Sequence, residues 1–289
     1  MGSLADMKAQ AFALAALRWQ MEAGVDETLS ETPLDRSAAL EAPQGLTPAN
    51  LTPAKRIRAT ASPQESAPQS DTETDARRLA REATDLAGVK AALAAFEGSA
   101  LKAGARQAVV GDGHPNAWTM VIGEAPGRDE DREGRPFVGR SGQLLDRMMA
   151  AIGLSRMAQN PDSALYIANV LPYRPVDNRT PSDDEVALLL PFLRKQIALV
   201  KPKLILCLGN VPAKHLMQAD AGITRFRGTW RDIDAGAGDV DTGDVDAGAE
   251  SISALASFHP AYLLRSPDMK RLAWRDLLEF HGRLAQFRP

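Results

Sequence analysis

Four polar side chains each follow an apolar run that predicts a β-strand: Glu124, Asn169, Asn210 and His259. In an α/β sheet, ligands bind beyond the carboxyl ends of the parallel strands, so these side chains are expected to share one edge. A carboxylate, two amides and an imidazole can donate or accept hydrogen bonds and stabilise developing charge. Taken singly, Asn169 and Asn210 also fit a turn or cap, and His259 also fits a loop histidine bonded to backbone.

Two glycine-rich runs lie near the first of these side chains. Residues 123–127 read Gly-Glu-Ala-Pro-Gly, and residues 134–143 read Gly-Arg-Pro-Phe-Val-Gly-Arg-Ser-Gly-Gln. Glycine lets a ligand approach the backbone closely, and the second run brings Ser141 and Gly142 to a predicted helix N-terminus, a natural phosphate site. The first run lacks the lysine of a P-loop and the spacing of a dinucleotide fingerprint, which weakens the interpretation as a nucleotide-binding protein.

Strand and helix patterns alternate along the chain from residue 76. Strands are predicted at 119–122, 165–168, 204–208 and 252–258, and helices at 76–96, 141–152, after Ser182, from Val211 and at 267–284. Ser182, with Glu185 three residues later, forms the pattern of a capping box. This alternation predicts an α/β fold in which a parallel sheet is covered by helices on both faces.

The sequence divides into three segments with different composition. Residues 1–25 form an N-terminal helical segment, either a docking element or a frayed end; residues 26–75 are predicted to be a disordered linker; residues 76–289 form the domain. The domain carries an acidic low-complexity insertion at 232–250. That insertion lacks the spacing and terminal glutamate of an EF-hand loop, so we interpret it as a solvated hairpin rather than a calcium site.

The net charge of −3 is distributed unevenly along the chain. Residues 232–250 contain seven acids and no lysine or arginine, so the other residues together carry +4. From His259 onward there are six basic side chains against three acidic ones. A locally basic face for phosphates is therefore available, although an excess of this size is common.

Cys207 is the single cysteine, which excludes an internal disulfide and a metal site built from several thiolates. It lies in an apolar run, which favours a buried strand residue over a reactive thiol. No apolar run approaches the ~20 residues that span a bilayer, and the N-terminus lacks a secretory pattern. We therefore expect a cytoplasmic protein.

Four segments together resemble the family 4 uracil-DNA glycosylases: 123–127, the Gly-Arg-Pro-Phe-Val-Gly run around Phe137, 166–170 and 259–265. The likeness extends from about Phe96 to Leu278. It implies a three-layer α/β/α sandwich on a four-stranded parallel sheet. It also implies an enzyme that flips uracil out of DNA and hydrolyses its N-glycosidic bond, leaving an abasic site. Such an enzyme needs no diffusible cofactor, and a monomer is expected.

The resemblance also implies a role for each residue of the site. Phe137 is the ring on which uracil stacks, Asn169 reads uracil O4 and N3–H, and Ala125 lies against the base. His259 donates a hydrogen bond to the charge that develops on uracil O2. Glu124 stabilises the sugar cation or orients the attacking water, and both alternatives stay open.

DNA contacts are predicted around these residues. Tyr262 or Leu263 is expected to wedge into the duplex, as apolar side chains do in DNA-bending proteins. Arg265, Lys270 and Arg271 are expected at phosphates. The remaining predicted DNA-binding residues are Arg140, Ser141, Gly142 and Asn210.

The sequence departs from the family at the four cysteines that hold its iron–sulfur cluster. Those positions fall on Phe96, Ser99, Tyr173 and Leu189, none of which provides a thiolate. We expect the domain to lack metal, with the three larger side chains packed as an apolar plug and Ser99 at its edge. Residues 174–181 contain no histidine, so covalent capture of DNA, as in some relatives, is not expected.

An alternative function is a protein that binds uracil or damaged bases in DNA without turning them over, recruited through its N-terminal tail. The presence of Glu124, Phe137, Asn169 and His259 together argues against it, because a pure binder does not need the full set. A protein partner for the tail is compatible with both functions.

Overall fold

The computed structural model describes residues 71–234 and 251–288. The predicted N-terminal segment 1–25, most of the linker 26–75 and residues 235–250 of the acidic insertion lie outside the described residues. Helix α1 begins at Asp71, so residues 71–75, predicted as linker, are helical.

The described residues form six strands and ten α-helices in chain order. The strands are β1 Gly111–Gly113, β2 Thr119–Gly123, β3 Leu165–Asn169, β4 Leu204–Leu208, β5 Trp230–Asp234 and β6 Ser251–Ser257. The helices are α1 Asp71–Glu82, α2 Leu86–Ala95, α3 Ala100–Gly104, α4 Arg128–Glu133, α5 Arg140–Ala150, α6 Asp183–Val200, α7 Asn210–Met217, α8 Ile223–Phe226, α9 Pro260–Arg265 and α10 Lys270–Ala285.

The sheet confirms the α/β class but is larger than predicted. Its order is β1-β3-β2-β4-β6-β5, and the four predicted strands form a parallel centre. Strands β1 and β5 are antiparallel to their neighbours, so the sheet is six-stranded and mixed rather than four-stranded and parallel. Strand β1 is only Gly-Asp-Gly, and β5 contains two acids that the sequence pattern assigned to the insertion.

The central strands are buried on both faces by helices. Ile122 faces the core that includes Leu193 of α6, whereas its neighbour Val121 faces the core that includes Leu145 of α5 and Phe280 of α10. Successive strand residues point to opposite faces, so these two cores lie on opposite sides of the sheet. The layers are therefore helix, sheet and helix.

The predicted capping box at the start of α6 is confirmed. The Glu185 amide donates to Ser182 Oγ at 3.2 Å, and the Ser182 amide donates to the Glu185 carboxylate at 2.9 Å. Arg179 also donates to Glu185, and this hydrogen bond is the largest cause that lowers the Glu185 pKa to about 2. The helix start is thereby tied to the segment 174–181 that precedes it.

Two predicted helices have different boundaries in the structure. The predicted helix 76–96 is two helices in the structure, α1 and α2. Asp85 caps the start of α2, because its side chain accepts a hydrogen bond from the Gly88 amide at 2.7 Å. The predicted last helix begins with a 3₁₀ turn, Pro267–Met269, before α10. Within the described ranges, no helix has the length and apolar character needed to cross a membrane.

The resemblance assigns cluster cysteines to four positions, and three of their side chains belong to one hydrophobic core. Phe96, Tyr173 and Leu189 are each at most 2% exposed and belong to the same hydrophobic cluster, and Ser99 is 6% exposed. The Tyr173 hydroxyl donates to the Leu93 carbonyl at 2.8 Å, which ties the segment after β3 to α2.

The sequence reading missed one member of this packing. The Phe96 ring lies 5.6 Å from the ring of Phe192, one turn along α6 from Leu189. We use the name plug for Phe96, Tyr173, Leu189 and Phe192.

Candidate active site

A cavity of about 450 Å³ opens at the carboxyl ends of the central strands. Nine of the twelve predicted site residues line it: Glu124, Ala125, Phe137, Ser141, Asn169, Asn210, His259, Tyr262 and Arg265. The strand-end geometry thus brings most of the predicted set together. Arg140, Gly142 and Leu263 do not line the cavity.

The ring of Phe137 forms a wall of the cavity, held in an unusual backbone conformation. Phe137 is 5% exposed and has φ of 53°, in the left-handed region that a bulky residue rarely adopts. Its ring stacks against the His259 ring with centroids 5.4 Å apart. A Cβ on Gly123 would lie 2.6 Å from Phe137 Cζ, so glycine at the end of β2 is what lets the ring lie there.

Asn169 offers an unpaired buried oxygen beside this ring. The residue is 4% exposed, and within the described part of the chain its Oδ1 has no hydrogen-bond partner. It is paired in register with Gly123, on which a Cβ would lie 2.5 Å from Oδ1. Buried polar atoms are nearly always satisfied, so an orphan facing a cavity is suited to a ligand donor.

His259 is arranged as a neutral donor. Its Nδ1 accepts from the Ala261 amide at 3.1 Å, which places the proton of the neutral ring on Nε2. Burial, reinforced by the charge of Arg265, lowers the pKa of His259 to about 4. At neutral pH the side chain can therefore donate from Nε2 without carrying a charge.

Glu124 supplies the carboxylate of the site. It is partly buried at the end of β2, and burial raises the pKa of its side chain above the ordinary value. The Leu171 amide donates to the Glu124 carbonyl at 3.0 Å, continuing the pairing between β2 and β3 beyond the strands. This pairing fixes the backbone that carries the carboxylate.

Glu130 lines the cavity and was missed by the sequence reading. Its carboxylate accepts from the Gly127 amide at 3.1 Å and from the amides of Val138 and Gly139 at 3.1 and 3.2 Å. One side chain therefore joins the two glycine-rich runs. Its position three residues after Gly127, in a helix's first turn, was the available signal.

Leu263, one of the two alternatives for the wedge, is buried in this conformation. Leu263 is 1% exposed and packs with Leu144, Phe258 and Ala273. Adjacent helix residues point about 100° apart, and of residues 262 and 263 one lines the cavity. Tyr262 is that residue, with its ring 5.1 Å from the Phe258 ring.

Two further predicted DNA-binding residues have structural contacts. Gly142 is buried in α5, where a Cβ would overlap the Phe137 carbonyl, so glycine is required for packing. Asn210 lines the cavity, but its Oδ1 accepts from the Ile223 amide at 2.7 Å, as a cap residue does. Arg140 is exposed at the start of the same helix as Gly142.

The segment 174–181 also contributes to the cavity. Asn178, Arg179 and Thr180 line it, and Arg174 donates to Asn178 Oδ1 at 2.8 Å. Sequence reasoning used this segment only to note that it lacks histidine. Arg179, which also pairs with Glu185, is thus the basic side chain of this segment that lines the cavity.

The residues present do not fit an iron–sulfur cluster. Phe96, Ser99, Tyr173 and Leu189 offer no thiolate, and Cys207 lies in β4, where burial raises its pKa to about 12. Among residues 71–234 and 251–288, no three His, Cys, Asp or Glu side chains are grouped so that they could hold a metal ion.

The chain belongs to the uracil DNA glycosylase superfamily, whose family model matches residues 110–278. It is 36% identical over 177 residues to the type-4 uracil-DNA glycosylase of Pyrobaculum aerophilum, covering 61% of this chain and 83% of the relative. The type-4 uracil-DNA glycosylase of Archaeoglobus fulgidus is 36% identical over 162 residues, covering 56% and 74% of the two chains. That of Thermotoga maritima is 34% identical over 172 residues, covering 58% and 79%.

Proposed function

We propose that the protein excises uracil from DNA, hydrolysing the N-glycosidic bond and leaving an abasic site. The observation that carries the proposal is one cavity that holds the Phe137 ring, the unpaired Asn169 oxygen and a neutral His259. These supply a stacking face, an amide edge and an oxyanion donor. Membership of the superfamily supports the same conclusion.

Base recognition combines stacking with an amide edge. A base must leave the duplex to reach a cavity of this kind, at an expense of a few kcal/mol. Stacking of the base on Phe137 stabilises the extruded state by ~1–3 kcal/mol. Asn169 can accept from uracil N3–H and donate to O4, whereas cytosine presents that donor–acceptor pair reversed.

The reaction breaks the bond between uracil N1 and the sugar C1′, with the electron pair leaving on uracil. His259 Nε2–H donates to uracil O2 as that negative charge develops, a role typically worth ~2.7–4 kcal/mol. Water then adds to C1′ and loses its proton. The Glu124 carboxylate stabilises the sugar cation or orients that water.

The expected partner is DNA containing uracil. Tyr262 is the remaining candidate for the wedge, and Arg140, Ser141 and Arg265 lie where phosphates of a docked strand would pass. Lys270 and Arg271, exposed at the start of α10, extend this basic border. The Oδ1 atom of Asn210 is already engaged by the Ile223 amide.

An excision assay tests the proposal and the alternative of binding without turnover. Oligonucleotides carrying uracil, hypoxanthine or xanthine are supplied single-stranded and paired, and abasic sites are measured after strand scission. We expect uracil to be released. Tight binding of uracil-DNA without release would instead establish the recognition protein recruited through its tail.

The finer features follow from the same domain. The protein acts without an iron–sulfur cluster, as a monomer, and its N-terminal tail is available to a protein partner. Purified protein is expected to contain no stoichiometric iron and to stay active after chelation. Stoichiometric iron, or activity lost on chelation, would overturn this part while leaving uracil excision standing.

Asn169→Asp is expected to lower uracil excision by about tenfold or more, since a buried ionised carboxylate accepts but cannot donate to O4. The same variant is expected to release cytosine at a low rate. Single-turnover assays on uracil and cytosine substrates measure both. Asn116→Asp, on an exposed turn, is the matched control, and unchanged uracil activity in Asn169→Asp would refute the assignment.

The pH dependence should report Glu124 rather than His259. Glu124 works as a carboxylate, so single-turnover cleavage should fall as pH decreases through its raised pKa. His259 works neutral and gains its proton only near pH 4, below that limb. Glu124→Gln should be slow but should lack this acid limb. An unchanged limb in that variant would contradict the assignment.

A further inference from the structure

We propose that Arg156 is a positioning residue for base stacking, which holds the Phe137 backbone so that the ring stays across the cavity. Arg156 lies outside the cavity, in the connection between α5 and β3. The proposal rests on the proposed glycosylase function and adds a residue that none of the site motifs contains.

The contacts of Arg156 converge on the stacking residue. One guanidinium nitrogen donates to the Pro136 carbonyl at 2.9 Å, and the other terminal nitrogen donates to the Phe137 carbonyl at 3.0 Å. The planar fork of arginine suits two successive carbonyls, whereas a lysine ammonium has no such fixed geometry. The Arg156 side chain is only 9% exposed, so water competes weakly for these bonds.

The backbone at Phe137 needs such support. Among described non-glycine residues with positive φ, Phe137 is the aromatic one; the others are Asp177, Asn178, Lys201 and Gln218. A left-handed conformation at a bulky residue persists only where its surroundings enforce it. Here the carbonyl is enclosed by Gly142 on one side and Arg156 on another.

Arg156 is itself anchored by two acids. It pairs with Asp112 of β1 at 3.0 Å and with Asp146 of α5 at 2.9 Å. Strand β1 is held against β3 by pairing of Asp112 with Ile167. The short edge strand β1 therefore positions the Asp112 carboxylate beside Arg156. Through its contacts, the Arg156 side chain links the sheet, α5 and the Phe137 loop.

The test compares Arg156→Met with Arg147→Met, a control at an exposed arginine of α5 that lies outside the cavity. In Arg156→Met, single-turnover uracil release and inhibition by free uracil should each weaken about tenfold, the scale of a charged hydrogen bond. Affinity for DNA carrying a tetrahydrofuran abasic analogue should not change, because that ligand has no base to stack. Arg147→Met should cleave at the unaltered rate.

Two further measurements separate positioning from general stability. Arg156→Lys keeps the charge facing the two acids, so it should fold, yet it should still lose about threefold in rate. In a Phe137→Ala background, Arg156→Met should add little further loss, since the two residues act as one unit. Equal losses in both backgrounds, a Lys variant with the full rate, or weakened binding of the abasic analogue would overturn the proposal.

Hydrogen exchange gives a readout that needs no activity. The amides of residues 137–139 should exchange faster in Arg156→Met and Arg156→Lys than in the unaltered protein. Unchanged exchange there would also overturn the proposal. Cleavage by the unaltered protein tests the proposed function separately, so the two failures can be told apart.

Discussion

His259→Ala should slow the cleavage of bound uracil-DNA by about 100-fold or more, the scale of one lost oxyanion donor. The backbone amide of Ala261 occupies Nδ1 and the low pKa keeps the ring neutral, so Nε2–H is the donor that alanine removes. Affinity for DNA should change little, because this hydrogen bond strengthens only as charge develops on uracil. Single-turnover rates at saturating enzyme and separate binding measurements provide the two quantities.

His114→Ala is the matched control for this variant. His114 also accepts a backbone amide at Nδ1, from Asn116 at 3.1 Å, but it follows β1 beside Leu165, at the opposite edge of the sheet. It should cleave at the unaltered rate. If His259→Ala lost DNA affinity while bound DNA was cleaved normally, His259 would be a binding residue instead.

The sequence predicted the parallel centre of the sheet because its strands are continuous apolar runs, the pattern of strands buried on both faces. The cavity followed from that centre, since Glu124, Asn169 and His259 come directly after three of those runs. The local sequence pattern was therefore enough to predict that these side chains lie at one edge of the sheet. Their roles in the reaction came from the resemblance and stay predictions.

The features that were missed depend on contacts between distant residues. Glu130 and Arg156 act on backbone amides and carbonyls of other segments, which no local pattern reveals. The left-handed Phe137 gives no sequence signal, because phenylalanine is not a residue that favours positive φ. Which of Tyr262 and Leu263 lies beside the cavity depends on how α9 packs against α5, and the sequence left both alternatives open.

The plug connects three segments of the chain. In the family that this sequence resembles, an iron–sulfur cluster is expected to hold the corresponding segments together. Phe96 follows α2, Tyr173 lies after β3, and Leu189 and Phe192 belong to α6. All four are at most 2% exposed, and a fully buried side chain of this size contributes ~1.5–3 kcal/mol. The hydrogen bond from the Tyr173 hydroxyl to the Leu93 carbonyl also fixes the orientation of the buried ring. We propose that hydrophobic packing here takes the place of the tie that the resemblance implies.

Phe96→Ala should lower the free energy of unfolding by ~3–5 kcal/mol, because it removes a fully buried ring and leaves a cavity beside Phe192. Urea unfolding followed by circular dichroism measures the change, and Phe287→Ala, whose side chain is 42% exposed, is the control expected to change it little. Replacing Phe96, Ser99, Tyr173 and Leu189 with cysteine should not by itself restore a cluster, because Phe192 would still fill space beside position 96. A small effect of Phe96→Ala would mean that the three segments are held together by contacts other than the plug.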